Sequence, residues 1–310
     1  MASRAKWQRG GCAAGVFAVC ACAVAQPEVE GGEEPAGAEE AVTFRLPAPE
    51  WTVRIEPRAW WASPSGEIKL PAASGTGPSG FTDSGQLVEV RRLNLDTPRL
   101  SAAGEVEVSA GLWRFGFSAG GFSLDRDSTI ADAAFRMGSV EVSPGEELGV
   151  RMEYSTFELT LGYEVWSRDF RKASKRPEDA LDVGMRLIVL AGARIHDLDV
   201  EVASIDDGTS AGTDQTYFEP LGGVRMEAEI WERFTLALQA SGGAWVEADR
   251  SVFSFDLSIA VRWEPIRNVG VEVGWRQMLM SMTDGEEDTA EEFEFTGGMA
   301  GLFAGVVVRF

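Results

Sequence analysis

The stretch Phe253-Ser254-Phe255-Asp256-Leu257-Ser258-Ile259-Ala260-Val261-Arg262-Trp263 decides the fold. Large apolar side chains take every odd position, and small, polar or charged ones every even position. Successive side chains of an extended strand point to opposite faces, so this run is a strand with one oily face and one polar face. The pattern spreads in both directions. Phe234, Leu236, Leu238 and Ala240 oppose Thr235, Ala237, Gln239 and Ser241, while Val269, Val271, Val273 and Trp275 oppose Gly270, Glu272, Gly274 and Arg276. Upstream, Val224, Met226, Ala228 and Ile230 oppose Arg225, Glu227 and Glu229, and the odd positions from Val183 to Ile195 oppose Arg186, Arg194 and His196. Phe157 to Val165 alternate against Glu158, Thr160 and Glu164, Trp113 to Phe117 flank Arg114, and Trp51, Val53 and Ile55 oppose Arg54 and Glu56.

Beyond Pro49 no segment repeats at helical spacing or reaches 18 consecutive apolar residues, so membrane-spanning helices are excluded. Strands are predicted at roughly 51–62, 98–108, 112–123, 148–166, 182–197, 216–231, 233–246, 251–263, 268–282 and 293–310, ten in all. An eight-strand version loses one hairpin; a twelve-strand version adds 87–95 and a turn at 154–156. With ten strands both termini lie at one end. The connections there are 109–111, 232, 264–267 and a longer link at 167–181, while 63–97, 124–147, 198–215, 247–250 and 283–292 join strands at the other end. Short turns on one side and mostly long loops on the other are the asymmetry of a membrane β-barrel.

Alternation alone also fits a soluble sandwich or small barrel. Charge placement separates them: the polar faces carry nine arginines (Arg54, Arg58, Arg114, Arg186, Arg194, Arg225, Arg262, Arg276, Arg309) and nine acids (Glu56, Glu105, Glu107, Glu158, Glu164, Glu227, Glu229, Asp256, Glu272). The apolar faces of the predicted strands are read as uncharged, as a surface meeting hydrocarbon requires, since Arg or Lys there costs about 2–4 kcal/mol at the midplane. Aromatic residues are expected in two girdles. Trp51, Trp113, Trp166, Trp231, Phe234, Trp263 and Phe310 fall at the terminal end, and Trp60, Trp61, Phe122, Tyr217, Phe218, Trp245, Phe253, Phe293 and Phe295 at the other. The expected fold class is all-β, a closed antiparallel up-and-down transmembrane barrel.

The last strand runs Leu302, Ala304, Val306, Val308, Phe310 at alternate positions and ends on the aromatic. Here the chain resembles bacterial outer-membrane β-barrel proteins. The resemblance implies that this strand is the signal read by the barrel-assembly machinery, and that outer-membrane lipids surround the wall. It covers 50–310 as architecture and 190–310 more closely, where Gly192-Ala193-Arg194, Gly223-Val224-Arg225 and Gly274-Trp275-Arg276 are similar to strands of uncharacterised members. Those glycines either leave room for the guanidinium or ease packing in a curved sheet.

The N-terminus fits this setting. Arg4, Lys6 and Arg9 precede an apolar run from Gly11 to Val24 and a small-residue site at Ala23-Val24-Ala25, the parts of a cleaved export signal over 1–25. All three cysteines lie inside it, so the mature chain holds neither a disulfide nor a zinc–cysteine site. Residues 26–48, with Glu28, Glu30, Glu33, Glu34, Glu39 and Glu40, read as an acidic, solvated linker. The remainder, 49–310, is the barrel domain, and the expected location is the outer membrane.

A net charge of -21 excludes a nucleic-acid partner, which requires a basic footprint. No phosphate-cradling loop, HExxH or Gly-Xaa-Ser-Xaa-Gly is present, and no cofactor or metal is expected. His196, the sole histidine, is read as a lumen or rim residue; an outer-membrane lipid hydrolase is the third-ranked reading because any imidazole base would have to be this one. The acidic loop residues Asp206, Asp207, Asp214, Asp284, Glu286, Glu287, Asp288, Glu291 and Glu292 lack calcium-loop spacing and read as solvated charge. The nine-and-nine lumen charges imply paired side chains plugging a narrow interior. The expected function is a non-enzymatic structural or interaction barrel with surface loops, the alternative a small-solute channel.

Overall fold

The computed structural model describes residues 51–171 except 74, 76, 78 and 79, then 182–231, 233–266 and 268–310. The export signal, the acidic linker, the turn residues at 232 and 267 and residues 172–181 of the long link lie outside these residues. In chain order the elements are β1 (Trp51–Lys69), β2 (Val88–Glu89), a 3-10 turn (Val90–Leu93), β3 (Arg99–Ala110), β4 (Trp113–Ile130), β5 (Phe135–Met137), β6 (Val140–Val142) and β7 (Glu147–Arg171). They continue as β8 (Asp182–Ser204), β9 (Ser210–Ile230), β10 (Phe234–Glu247), β11 (Arg250–Ile266), β12 (Val269–Asp284) and β13 (Phe293–Arg309).

Ten of these strands, β1, β3, β4 and β7 through β13, form the wall, each antiparallel to its neighbours in chain order. β13 returns to β1 from Arg54↔Arg309 to Lys69↔Glu294 and closes the ring. Closure satisfies the backbone of every wall strand without leaving a sheet edge, the condition for placing strands in hydrocarbon. β2 adds to the loop end of β1, and β5 and β6 form a separate small hairpin. Val53 and Phe310 exchange backbone hydrogen bonds of 3.1 and 2.9 Å, so the wall begins and ends at one rim. Gly111, at φ 59°, supplies the left-handed backbone for the tight turn between β3 and β4.

The wall strands outrun their predicted ends, and β8 shows why. Its outward face reads Val183, Met185, Leu187, Val189, Ala191, Ala193, Ile195 and then Asp197, Asp199, Glu201, while its inward face carries Arg186, Arg194 and His196, with Ile188, Leu190 and Gly192 between the arginines, and then Leu198, Val200, Val202. The side-chain parity never changes, but the polarity of the two faces exchanges at residue 196. Below that level the barrel is oily outside and charged inside. Above it, the barrel is built like a soluble protein. The segment 198–215 is therefore mostly strand, with a turn only at 205–209, and 124–130 likewise extends β4. A strand of 23 residues, rising about 3.3 Å each and tilted near 45°, reaches roughly twice the height of a ~25 Å apolar band.

Two expectations are corrected by this exchange. Arg151 and Glu153 share the outward face of β7 with Phe157 and Leu159, so the face lacks charge only within the apolar band. The loop-end girdle keeps Trp61, Phe218 and Phe253; Trp60, Phe122, Tyr217, Phe293 and Phe295 point inward and are buried, and Trp245, exposed at the end of β10, lies opposite the inward Val252. Trp60 shares the parity of Arg58, and Phe295 that of Met299 and Phe303; each aromatic followed its strand's inner face. The terminal-end girdle, Trp51, Trp113, Trp166, Trp231, Phe234, Trp263 and Phe310, is exposed throughout.

The buried aromatics belong to an apolar core that fills the outer half of the ring. Loops complete it. Residues 70–98 contribute Leu70, Val88, Val90, Leu93 and Leu95, and residues 131–146 contribute Ala131, Phe135, Met137, Val140 and Val142, packed with Leu198, Val200 and Val202 of the wall. Full burial of a large apolar side chain is worth about 1.5–3 kcal/mol, so these loops are held over the lumen as a folded cap.

Candidate lumen site

Inward positions of the apolar-banded half carry three levels of charge. Nearest the terminal rim are three pairs: Arg114–Glu164 at 3.1 Å and Arg186–Glu229 at 3.2 Å between adjacent strands, and Arg309–Glu264 at 3.0 Å across β12. In the middle, Arg54 meets Glu56 at 2.6 Å and Glu107 at 3.2 Å, Arg225 meets Glu105, Glu107 and Glu227 at 3.2, 3.2 and 2.8 Å, and Arg262 meets Glu56 and Glu272 at 2.5 and 2.9 Å. Arg58 joins Glu56, Glu105 and Glu272, so each middle guanidinium is shared between at least two carboxylates.

The third level lies just beneath the apolar core. Arg194, with no solvent exposure, meets Glu158 at 2.6 Å, Glu219 at 3.3 Å and Asp256 at 3.8 Å, and Arg276 pairs with Asp256. Arg194 also donates to Ser254 Oγ and Ser241 Oγ. His196 closes the level: its Nδ1 lies 2.7 Å from the Tyr154 hydroxyl, and its Nε2 lies 3.2 Å from Glu219. His196 is thus fully buried in the lumen where charge gives way to oil, the first of the two places, lumen or rim, expected for it.

All eighteen side chains singled out in the sequence point into the lumen, and each has an ion-pair partner. Two acids were missed: Glu219 and Glu264. Glu219 precedes Pro220 and Gly222-Gly223, which interrupt the apolar alternation, and Glu264 lies past the last residue assigned to its strand. The parity of Glu219 with Glu227 and Glu229 was the available signal. Counting both, these ion-paired levels set nine guanidiniums against eleven carboxylates among the described residues: three against three at the rim, four against five in the middle, and two against three at the His196 level. Removing one partner from such a buried pair leaves an uncompensated charge and costs about 3–5 kcal/mol.

The charges do not fill the space. A cavity of about 230 Å³ opens among the rim and middle levels, lined by Arg54, Arg114, Arg186, Arg262 and Arg309, by Glu107, Glu227 and Glu229, and by Thr52, Ser109 and Thr235. Smaller spaces of about 30 and 60 Å³ continue inward past Arg225 toward Arg276 and Trp60. There the apolar core begins.

The Gly-Xaa-Arg glycines serve the sheet. A methyl group on Gly192 would meet the backbone of Leu159 at 2.1 Å, and one on Gly274 would meet the Ile259 backbone and the Phe303 ring at 2.4 and 2.5 Å. On the other face of the last strand, Leu302, Ala304, Val306, Val308 and Phe310 point outward into the apolar band. Among the described residues, no three His, Cys, Asp or Glu side chains are grouped to hold a metal ion. Of the acidic loop residues, Glu292 is buried, accepting from Lys69 Nζ at 2.7 Å and from the Asp288 amide at 2.9 Å.

A closed antiparallel ring with an apolar band, aromatic residues at its margin and a charged, ion-paired lumen has the architecture of an outer-membrane β-barrel. No protein-family model matches the sequence, and no curated protein matches it. Among solved structures, the chain is similar to the outer-membrane protease OmpT of Escherichia coli, at 10% identity and TM-score 0.43 over 84% of this chain and 97% of that one. It is also similar to Neisserial surface protein A, at 11% identity and TM-score 0.24 over 84% and 97%, and to the Pseudomonas putida toluene transporter TodX, at 8% and 0.25 over 85% and 91%. The barrel assignment rests on the chain's own strand pairing.

Proposed function

We propose that the chain is an outer-membrane small-solute channel in a closed form, inserted with its termini in the periplasm. The observation that carries this reading is the polar cavity of about 230 Å³ at the terminal mouth, continued inward by smaller spaces between charge levels. A barrel that served only as a scaffold has no need of them. Well-packed apolar residues of similar volume are often as stable as buried ion pairs or more so, so a retained charged and cavity-bearing lumen favours a role for polar solute. The stopper is made largely of loops 70–98 and 131–146, which can be displaced without breaking the ring. No catalytic step enters the proposal: the one imidazole is enclosed by Tyr154 and Glu219, away from lipid and water.

Planar-bilayer recording tests it. The intact chain is expected to conduct far less than a general porin, and a chain with both loops shortened is expected to show discrete openings. If the shortened chain is folded yet as silent as the parent, the channel reading falls. The closed structural barrel then takes its place, a reading supported by the ten loop side chains buried in the apolar core.

A further inference from the structure

The terminal-mouth cavity has a lining of both signs, and this selects a class of occupant. Five guanidiniums and three carboxylates surround it, with three hydroxyls between them. An inorganic anion placed there would meet Glu107, Glu227 and Glu229, and a simple cation would meet the arginines. Neither suits the whole surface. Arg54 and Arg262 both line the cavity and are more than nine-tenths buried, Arg54 holding Glu56 and Glu107 through Nε and Nη2 at 2.6 and 3.2 Å and Arg262 holding Glu56 and Glu272 through Nη2 at 2.5 and 2.9 Å. A guanidinium takes a carboxylate in planar, two-pronged geometry, and five guanidiniums border this one space.

The space also fits a small molecule. Liquid water occupies about 30 Å³ per molecule, so 230 Å³ corresponds to about eight waters, or one amino-acid-sized solute with a few waters retained. Access is through the rim, where the Arg186 and Glu229 side chains are 42% and 35% exposed.

We propose that this cavity is a binding site for small zwitterions that carry a carboxylate and a primary ammonium group a few ångströms apart, the amino acids being the simplest. The carboxylate lies against Arg54 and Arg262, and the ammonium against Glu227 or Glu229. The assignment deepens the channel reading by naming its solute class and rests on that reading for its physiological meaning, while the binding itself is measured without any flux.

The test is calorimetric titration of the folded full chain in detergent with L-alanine, and separately with acetate, methylammonium and inorganic phosphate. L-alanine is expected to bind, and acetate and methylammonium, its two charged halves, to bind at least tenfold more weakly. Thr52→Phe and Thr235→Phe fill the cavity while leaving every ion pair in place, and each is expected to weaken alanine binding tenfold or more. Circular dichroism and gel mobility with and without heating confirm that these variants fold, and the four-probe comparison on the parent chain needs no variant. Absence of alanine binding, phosphate or acetate binding as tight as alanine, or unchanged affinity in both folded variants overturns the proposal. Alanine binding by a barrel that never conducts, even with its loops shortened, sinks the channel reading alone; conductance without alanine binding sinks this one alone.

Discussion

Ile195 and Asp197 stand two residues apart on the same outward face of β8, and between them the exterior of the barrel changes from apolar to acidic. The same change passes from Phe157 to Glu153 on β7 and from Phe218 to Asp214 on β9. Cross-strand register makes the rows continuous: Phe157 faces Ile195, which faces Phe218, and Glu153 faces Asp199, which faces Asp214.

A basic side chain should therefore be costly below this line and harmless above it. Leu159→Arg, in the apolar band, is expected to lose about 2–4 kcal/mol in denaturant unfolding from lipid vesicles. Asp199→Arg should cost nothing measurable. Equal losses for both would place the membrane margin elsewhere.

The acidic row also predicts a pH effect. Partial burial raises the Asp199 carboxyl above its ordinary range, and Asp214, Glu153 and Glu201 add to the rise, while Arg151 opposes it. A carboxyl raised in the folded state stabilises folding at low pH, and that contribution is lost as pH climbs through the folded value. Asp199→Asn is accordingly expected to raise the thermal midpoint at neutral pH, with the gain vanishing in acid and shrinking in high salt. A gain independent of pH would remove the electrostatic cause.

Within the lumen, Arg262 holds both Glu56 and Glu272. Arg262→Met takes one guanidinium from both buried carboxylates, leaving Glu56 to Arg54 and Arg58 and Glu272 to Arg58 alone, and is expected to destabilise by up to about 3–5 kcal/mol. Adding Glu272→Gln should recover part of the loss. Additive losses in the double-mutant cycle would show the two side chains to be uncoupled.

The cap offers a test on living cells. Leu93 is fully buried beside the exposed Arg91, in the 3-10 turn of the 70–98 loop. Trypsin added outside is expected to spare Arg91 and Arg92 in the parent and to cleave there after Leu93→Ala, a change that removes about 2–5 kcal/mol of packing. Cleavage of the parent at the same rate would mean that the loop is not held in the core.

The ring, its ten wall strands and the eighteen lumen charges were legible because each rests on two-residue periodicity, which survives without tertiary context. The upper tier was not, although Leu198, Val200 and Val202 alternate as cleanly as Val189, Ala191 and Ala193. A search for strands that are oily outside ends where the oily face turns inward, and Trp60 or Phe295 can be placed only once it is known which face meets the cap. Glu219 was obscured by Pro220 and paired glycines. Its contact with His196 joins residues from different strands, and strand periodicity sets which way each points, whereas the close approach depends on register.

The reversal at His196 also constrains biogenesis. For the loop end to reach the far side of a bilayer, a surface bearing Glu153, Asp197, Asp199 and Asp214 must traverse acyl chains that accept only the half following behind it. Spontaneous insertion of the finished cylinder would drag that hydrophilic collar through oil, so entry is expected to require a protein-lined passage, with curling completed as the collar emerges.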